Sequence, residues 1–238
     1  MNGSVKRIGA ILLKELQDFK SNGNVLVLYL LPLIIYGIFK GLIAEIPDSW
    51  TISLSLVMLV GEVCLYVPAM LIAEEKEKKT LNVLMLSPAR PFEVFAGKGL
   101  ITFLSAMLSG LLISLLGGAG LRDMAVILVA TALAAIACTL LGIIIGLLAQ
   151  NQMATGMLGL PIMLPFIMLP YLSIIGNETI IKISRIIPTY HYFKMLSLGL
   201  GQQKVLSDML PYVGALAGSV LVSLGLLLLI YRKKGLEA

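Results

Sequence analysis

The chain has 238 residues, 58% of them hydrophobic and only 13% charged, with a formal net charge of +5. A soluble domain of ordinary composition carries about a quarter charged residues, so these figures exclude a large water-soluble core and place the chain in a bilayer. A modest positive charge on so apolar a chain does not point to nucleic acid; what matters is which side of the membrane the basic residues occupy.

Residues 4–22 come first. Val5, Ile8, Leu12, Leu16 and Phe19 recur at steps of three or four, a helical stripe, with Lys6, Arg7, Lys14, Gln17 and Asp18 largely off it. This pattern predicts a basic amphipathic helix lying in the headgroup plane ahead of the first span. Glu15 and Asp18 are acidic and the apolar run that follows is long, which argues against the charged start of a signal peptide. Asn22-Gly23 ends the helix.

The apolar run over 25–44 is one bilayer thickness, with Pro32 inside it and Lys40 near its far end. A short polar loop follows, in which Trp50 suits an interface. Residues 52–73 are the second span, with Glu62 near its middle. Residues 74–88 form the longest strongly charged stretch: Glu74, Glu75, Lys76, Glu77, Lys78 and Lys79 are consecutive and cannot lie in lipid. Beyond Thr80 the pattern changes. Leu81, Leu84 and Met85 fall on one face of a short helix, which Ser87-Pro88 stops. Pro91 and Glu93 then start the third span, taken as 94–118.

Arg122-Asp123 marks a tight turn, and 124–149 is the fourth span, containing Gly142 and Gly146 at GxxxG spacing. Gly37/Gly41 and Gly214/Gly218 repeat that spacing, so close helix packing is expected in three spans. The fifth span, 155–175, carries Pro161, Pro165 and Pro170. Three prolines remove three backbone donors, so this segment is expected to be bent or broken and to line a cavity. Residues 176–208 are the longest stretch that does not span. Tyr190, Tyr192 and Phe193 there have the look of an interfacial aromatic cluster. The sixth span is 209–231, and Arg232-Lys233-Lys234 forms its basic flank.

Six spans put both termini on one side. If that side is cytosolic, it holds Lys6, Arg7, Lys14, Lys20, Lys76, Lys78, Lys79, Arg90, Lys98, Arg232, Lys233 and Lys234. The opposite side then keeps Lys40, Arg122, Lys182, Arg185, Lys194 and Lys204. The excess of basic residues predicts cytoplasmic N- and C-termini in a multi-pass plasma-membrane protein.

Catalytic parts are missing. There is no G-x-x-x-x-G-K-[ST] sequence, and Gly97-Lys98-Gly99 lacks both the upstream glycine and the following Ser/Thr of a phosphate loop. His191 is the single histidine, and Cys64 and Cys138 sit inside apolar runs as packing residues, so no metal set is expected. Glu62 is the residue that stands out, since a carboxylate near the bilayer midplane is expensive unless neutral, paired or facing water. It is either a structural group bonded to a neighbouring span, for example to Thr139 or Ser109, or a group on a transport pathway.

The Glu-rich run, Thr80-Leu81, the leucines after it, Ser87-Pro88 and Lys98 together resemble the cytosolic loop of type-2 ABC exporter (ABC-2) permeases. The resemblance extends along the chain: an amphipathic helix before the first span, six spans, and a Pro-Thr-Tyr segment at 188–190 before the last. It implies an all-α polytopic membrane protein forming a single transmembrane domain, with an N-terminal connecting helix, a cytosolic coupling helix over 74–88 and an external re-entrant segment over 176–208. It also implies two copies of an ABC ATPase subunit as partners, with ATP and Mg bound there and no cofactor in this chain. A second copy of the chain, or a homologous permease, would complete the assembly. Glu74, Glu75, Thr80, Leu81, Leu84 and Met85 would meet the ATPase. The pathway would run between the two halves along the first, second and fifth spans, past Glu62, Pro161 and Pro165. The chain departs from larger members in lacking a large external domain, and Lys79 stands where a glycine often precedes the Thr-Leu pair. An ion-coupled secondary transporter using Glu62 is the competing reading, and a membrane anchor without transport activity is a third.

Overall fold

The computed structural model describes residues 2–21, 23–43, 45–79, 91–200 and 206–234. Six helices are long and apolar enough to cross a membrane. Helix α1 is Asn2–Ser21 and α2 is Gly23–Leu42. Helix α3, Asp48–Glu77, is continuous but passes through a π-helical turn at Leu59–Cys64. Helices α4 (Pro91–Leu116), α5 (Leu121–Leu148) and α6 (Gln152–Leu172) follow. Two short helices, α7 (Glu178–Ser184) and α8 (Pro188–Gly199), precede α9 (Leu206–Lys234).

Helix α3 is the axis of the bundle. Leu56, Val57, Leu59, Val60, Val63 and Cys64 are fully buried along it, as its uniformly apolar sequence requires. In its most apolar window 83% of residues are buried, against 22% for α2, 28% for α6 and 17% for α9, so those three form the rim. Helix α5 lies along α3 because Gly142 and Gly146 leave room for it. A Cβ at Gly142 would sit 2.2 Å from the Leu65 carbonyl oxygen, and one at Gly146 would sit 2.8 Å from that of Ala69. This is small-residue packing with backbone against backbone. The other two glycine pairs behave differently: Gly37, Gly41, Gly214 and Gly218 have nothing within 4 Å of an added Cβ, so only the α5 pair forms a seam within the chain.

Prolines shape two helices without breaking them. Pro68 cannot donate to the carbonyl of Cys64, and the π-helical turn ends at that residue, a usual accommodation for a lost rung. Helix α6 holds Pro161, Pro165 and Pro170 yet runs unbroken from Gln152 to Leu172, contrary to a break expected from the sequence. Part of the reason lies outside the helix. Pro170 cannot donate to the Phe166 carbonyl, and the buried Thr189 hydroxyl of α8 does so instead at 2.6 Å. The Ser184 hydroxyl of α7 also donates to the Leu169 carbonyl at 3.2 Å.

Helix α8 is therefore a packing element. Tyr192 is fully buried, with its hydroxyl 2.7 Å from Thr131 Oγ1 of α5, and Tyr190 and Phe193 are buried beside it. The three aromatics belong to the interior and not to an exposed interface. His191 keeps partial exposure, as do Lys194 and Leu198; its Nε2 lies 2.8 Å from the Arg185 carbonyl oxygen, and burial lowers the pKa of its ring.

Candidate functional site

Three features stand on α3, α4 and α6. The first is an ionic cluster where α1 crosses the ends of α3 and α4. Lys98 of α4 is buried, an unfavourable place for an ammonium unless it is paired. Its Nζ donates to Glu15 of α1 at 2.6 Å and to Glu75 of α3 at 3.1 Å. Lys14 of α1 donates to the same Glu75 oxygen at 2.5 Å. Seven residues before Lys14 on α1 and five before Lys98 on α4, a second lock forms: Arg7 Nε and Nη2 each donate to a Glu93 oxygen at 2.7 Å, and the Ser4 hydroxyl also bonds Glu93. This forked geometry is what guanidinium and carboxylate favour.

The segment Gly97-Lys98-Gly99 has its explanation here. Gly97 admits Ile11 of α1, since a Cβ would fall 2.5 Å from Ile11 Cγ2. Lys98 supplies the charge, and Gly99 packs toward Thr139 and Ile143 of α5. The face of α1 turned to the protein is thus Arg7, Ile11, Lys14 and Glu15, while Val5, Leu13 and Leu16 are exposed.

The same end of α3 holds its neighbours by their backbones. Lys76 Nζ donates to the Leu147 and Ala149 carbonyls at 2.5 and 2.9 Å, capping the end of α5. A Glu77 oxygen accepts from the Gln152 amide at 3.1 Å, at the start of α6. Residues 74–79 are therefore a junction of α1, α3, α4, α5 and α6. Of the predicted docking residues, Glu74 pairs with Lys78 at 2.5 Å, and Glu75 is turned inward to Lys98 and Lys14. Thr80, Leu81, Leu84 and Met85 lie outside the described residues.

The second feature is Glu62, inside the π-helical turn and midway along α3. It is 4% exposed, and its Oε2 has no hydrogen-bond partner. Thr139 Oγ1 is likewise buried without a partner, so the anticipated Glu62–Thr139 bond is not made. Gly61 lets α6 come close: a Cβ there would meet Ile167 Cγ1 at 2.9 Å. An irregular turn with an unpaired acid is the kind of local departure that marks functional positions.

The third feature is the outer face of α6. Pro161 is exposed and Pro165 half-buried, and Met153, Met157, Leu160, Leu164 and Met168 are exposed on this helix. Both prolines lie toward the surface of the single chain.

The sequence singles out Glu62 and Glu75 but not the pairing of Lys98 with Glu15 or of Arg7 with Glu93. Lys98 and Glu93 were detectable as charges in the first turns of an otherwise apolar helix. Their partners on α1 are more than eighty residues away in sequence, and only the fold shows them.

The ABC-2 family transporter protein family matches residues 49–229. The chain belongs to this family and is an ABC-2 type transmembrane permease subunit. Members of the family are membrane transport subunits and not catalytic enzymes, and they generally pair with ABC ATPase subunits. No curated protein sequence matches the chain.

Proposed function

We propose that this chain is the membrane subunit of an ATP-driven exporter, and that its ATPase partner docks on the segment joining α3 to α4. The observation that carries this reading is the buried Glu75–Lys98–Glu15 cluster. It ties together both ends of the α3–α4 connection, so a push on that connection reaches two spans and α1 as one unit. Glu74, Thr80, Leu81, Leu84 and Met85 would meet the ATPase, with Glu75 anchoring the segment from behind. ATP and Mg would be bound by the partner, in two copies for a pair of permease chains.

The orientation follows from the charge distribution: the face carrying α1, Lys76, Lys78, Lys98 and Arg232 would be cytosolic. Helix α1 would then lie along the inner membrane surface with Val5, Leu13 and Leu16 toward lipid, and 176–208 would form the external re-entrant segment. The pathway would run between two copies along α2, α3 and α6. Pro161 supports this. It cannot donate to the carbonyl of Met157, and a carbonyl without its rung is poorly tolerated against lipid but acceptable against water or a second protein chain. Candidate cargoes are peptides, drugs, lipid-like molecules or ions.

The ion-coupled transporter reading rests on the unpartnered Glu62 oxygen. Affinity purification of the tagged chain from its native membranes separates the two. The exporter reading expects a phosphate-loop ATPase that hydrolyses ATP in the purified complex and is lost with Leu81→Asp plus Leu84→Asp, while the membrane subunit stays monodisperse. A double variant that keeps the ATPase and its activity would refute the docking assignment.

A further inference from the structure

An apolar groove of about 700 Å³ lies between α4, α5 and α9, on the bundle face formed by the third, fourth and sixth spans. It is separate from the ionic cluster and from the α2–α3–α6 side proposed for transport. Phe95, Phe103, Ile136, Leu224, Leu228 and Tyr231 are among its lining residues, and Ala96 and Gly99 of α4 leave the space that larger side chains would fill. Its volume is that of a small-molecule site, roughly 300–1,000 Å³.

The groove has a direction. Along α4 it runs from Phe92 to Phe103, eleven residues or about 16 Å at helical rise, close to the depth of one leaflet. Its shallow end is on the side of both termini, where Phe92 is exposed and Phe95 meets Tyr231 edge-on at 5.9 Å. Arg232 and Lys233 follow Tyr231 directly and are exposed at that end. An apolar slot one leaflet deep with basic residues at its mouth is complementary to a lipid with an anionic head.

We propose that this groove holds one acyl chain of an anionic phospholipid, with the phosphate at Arg232 and Lys233. The lipid would come from the leaflet on the side of the termini. It would fill the space between α9, the least buried of these spans, and α4, over a floor formed by α5, and so brace α9 against α4.

Native mass spectrometry of the purified full chain, with palmitoyl-oleoyl phosphatidylglycerol and the matching phosphatidylcholine as probes, tests this. One phosphatidylglycerol should be retained in preference to phosphatidylcholine by on the order of tenfold at low salt. Arg232→Gln with Lys233→Gln should reduce that preference to near one. Leu228→Trp, at a half-exposed groove position, or Ala96→Leu should fill the slot and release both lipids while the protein remains monodisperse. Dihexanoyl phosphatidylglycerol, which has the head but not the tail, should compete poorly. Equal binding of the short-chain lipid, or unchanged binding in both groove-filling variants, would overturn the proposal.

Discussion

Glu62 and Glu75 are carried by the same helix, thirteen residues or about 20 Å apart, and are equally buried at 4% and 5% exposure. Their surroundings differ completely. Glu75 accepts from two lysines that arrive from other helices, whereas Glu62 has an oxygen with no partner and sits where the helix departs from regular winding. Burial alone therefore does not define what an acid does. A carboxylate given dedicated cations serves as a fastener. One left without them keeps an oxygen available to another partner, which a fastener does not.

The comparison breaks most severely if the shared scaffold is removed. Gly142→Leu would drive a side chain into the Leu65 backbone carbonyl, which cannot move aside like a side-chain tip. Overpacking typically costs about 1–3 kcal/mol, and a backbone obstacle in a two-helix seam should exceed that range. The expected result is loss of monodisperse protein on size-exclusion chromatography. Gly214→Ala, with open space around it, should elute and melt as the parent does.

Next in size is the fastener itself. Lys98→Met leaves the buried Glu15 and Glu75 with only the half-exposed Lys14, and breaking a buried pair costs up to about 3–5 kcal/mol. Thermal unfolding in detergent should show a large fall in melting temperature. Glu62→Gln, which breaks no ion pair, should shift it far less. Equal shifts for the two variants would erase the distinction between the acids. Smaller again is Thr189→Val, which takes the hydroxyl donor from the Phe166 carbonyl beside Pro170. A buried acceptor left without its partner costs about 1–3 kcal/mol, and the same melting measurement reads it.

Much of this architecture was legible in the sequence because lipid imposes simple rules. Long apolar runs became spans, the six-residue charged run ended α3, and Cys64 and Cys138 became buried packing residues. What stayed hidden depends on contacts between distant segments. The sequence of α1 drew attention to its apolar stripe, but the side that docks on the bundle does so through Arg7, Ile11, Lys14 and Glu15. The prolines of α6 predicted a break because the sequence does not show that Thr189 would replace a missing donor. Tyr190, Tyr192 and Phe193 read as interfacial by residue type, since periodicity could not reveal that α8 packs against α5 and α6. Three GxxxG spacings were alike in sequence, and only the one facing the α3 backbone is used within the chain.

We propose that Glu62, with its unpartnered oxygen, lies on a path along α3 that opens to water during transport in either reading, while Glu75 holds the frame. It is tested most directly by cysteine accessibility. Glu62→Cys would be placed in a chain whose two native cysteines are replaced by alanine, assembled with its ATPase, and exposed to a small charged thiol reagent with and without ATP. The account predicts modification in one nucleotide condition and protection in the other. Absence of modification in every nucleotide condition, with the complex assembled and hydrolysing ATP, would contradict it.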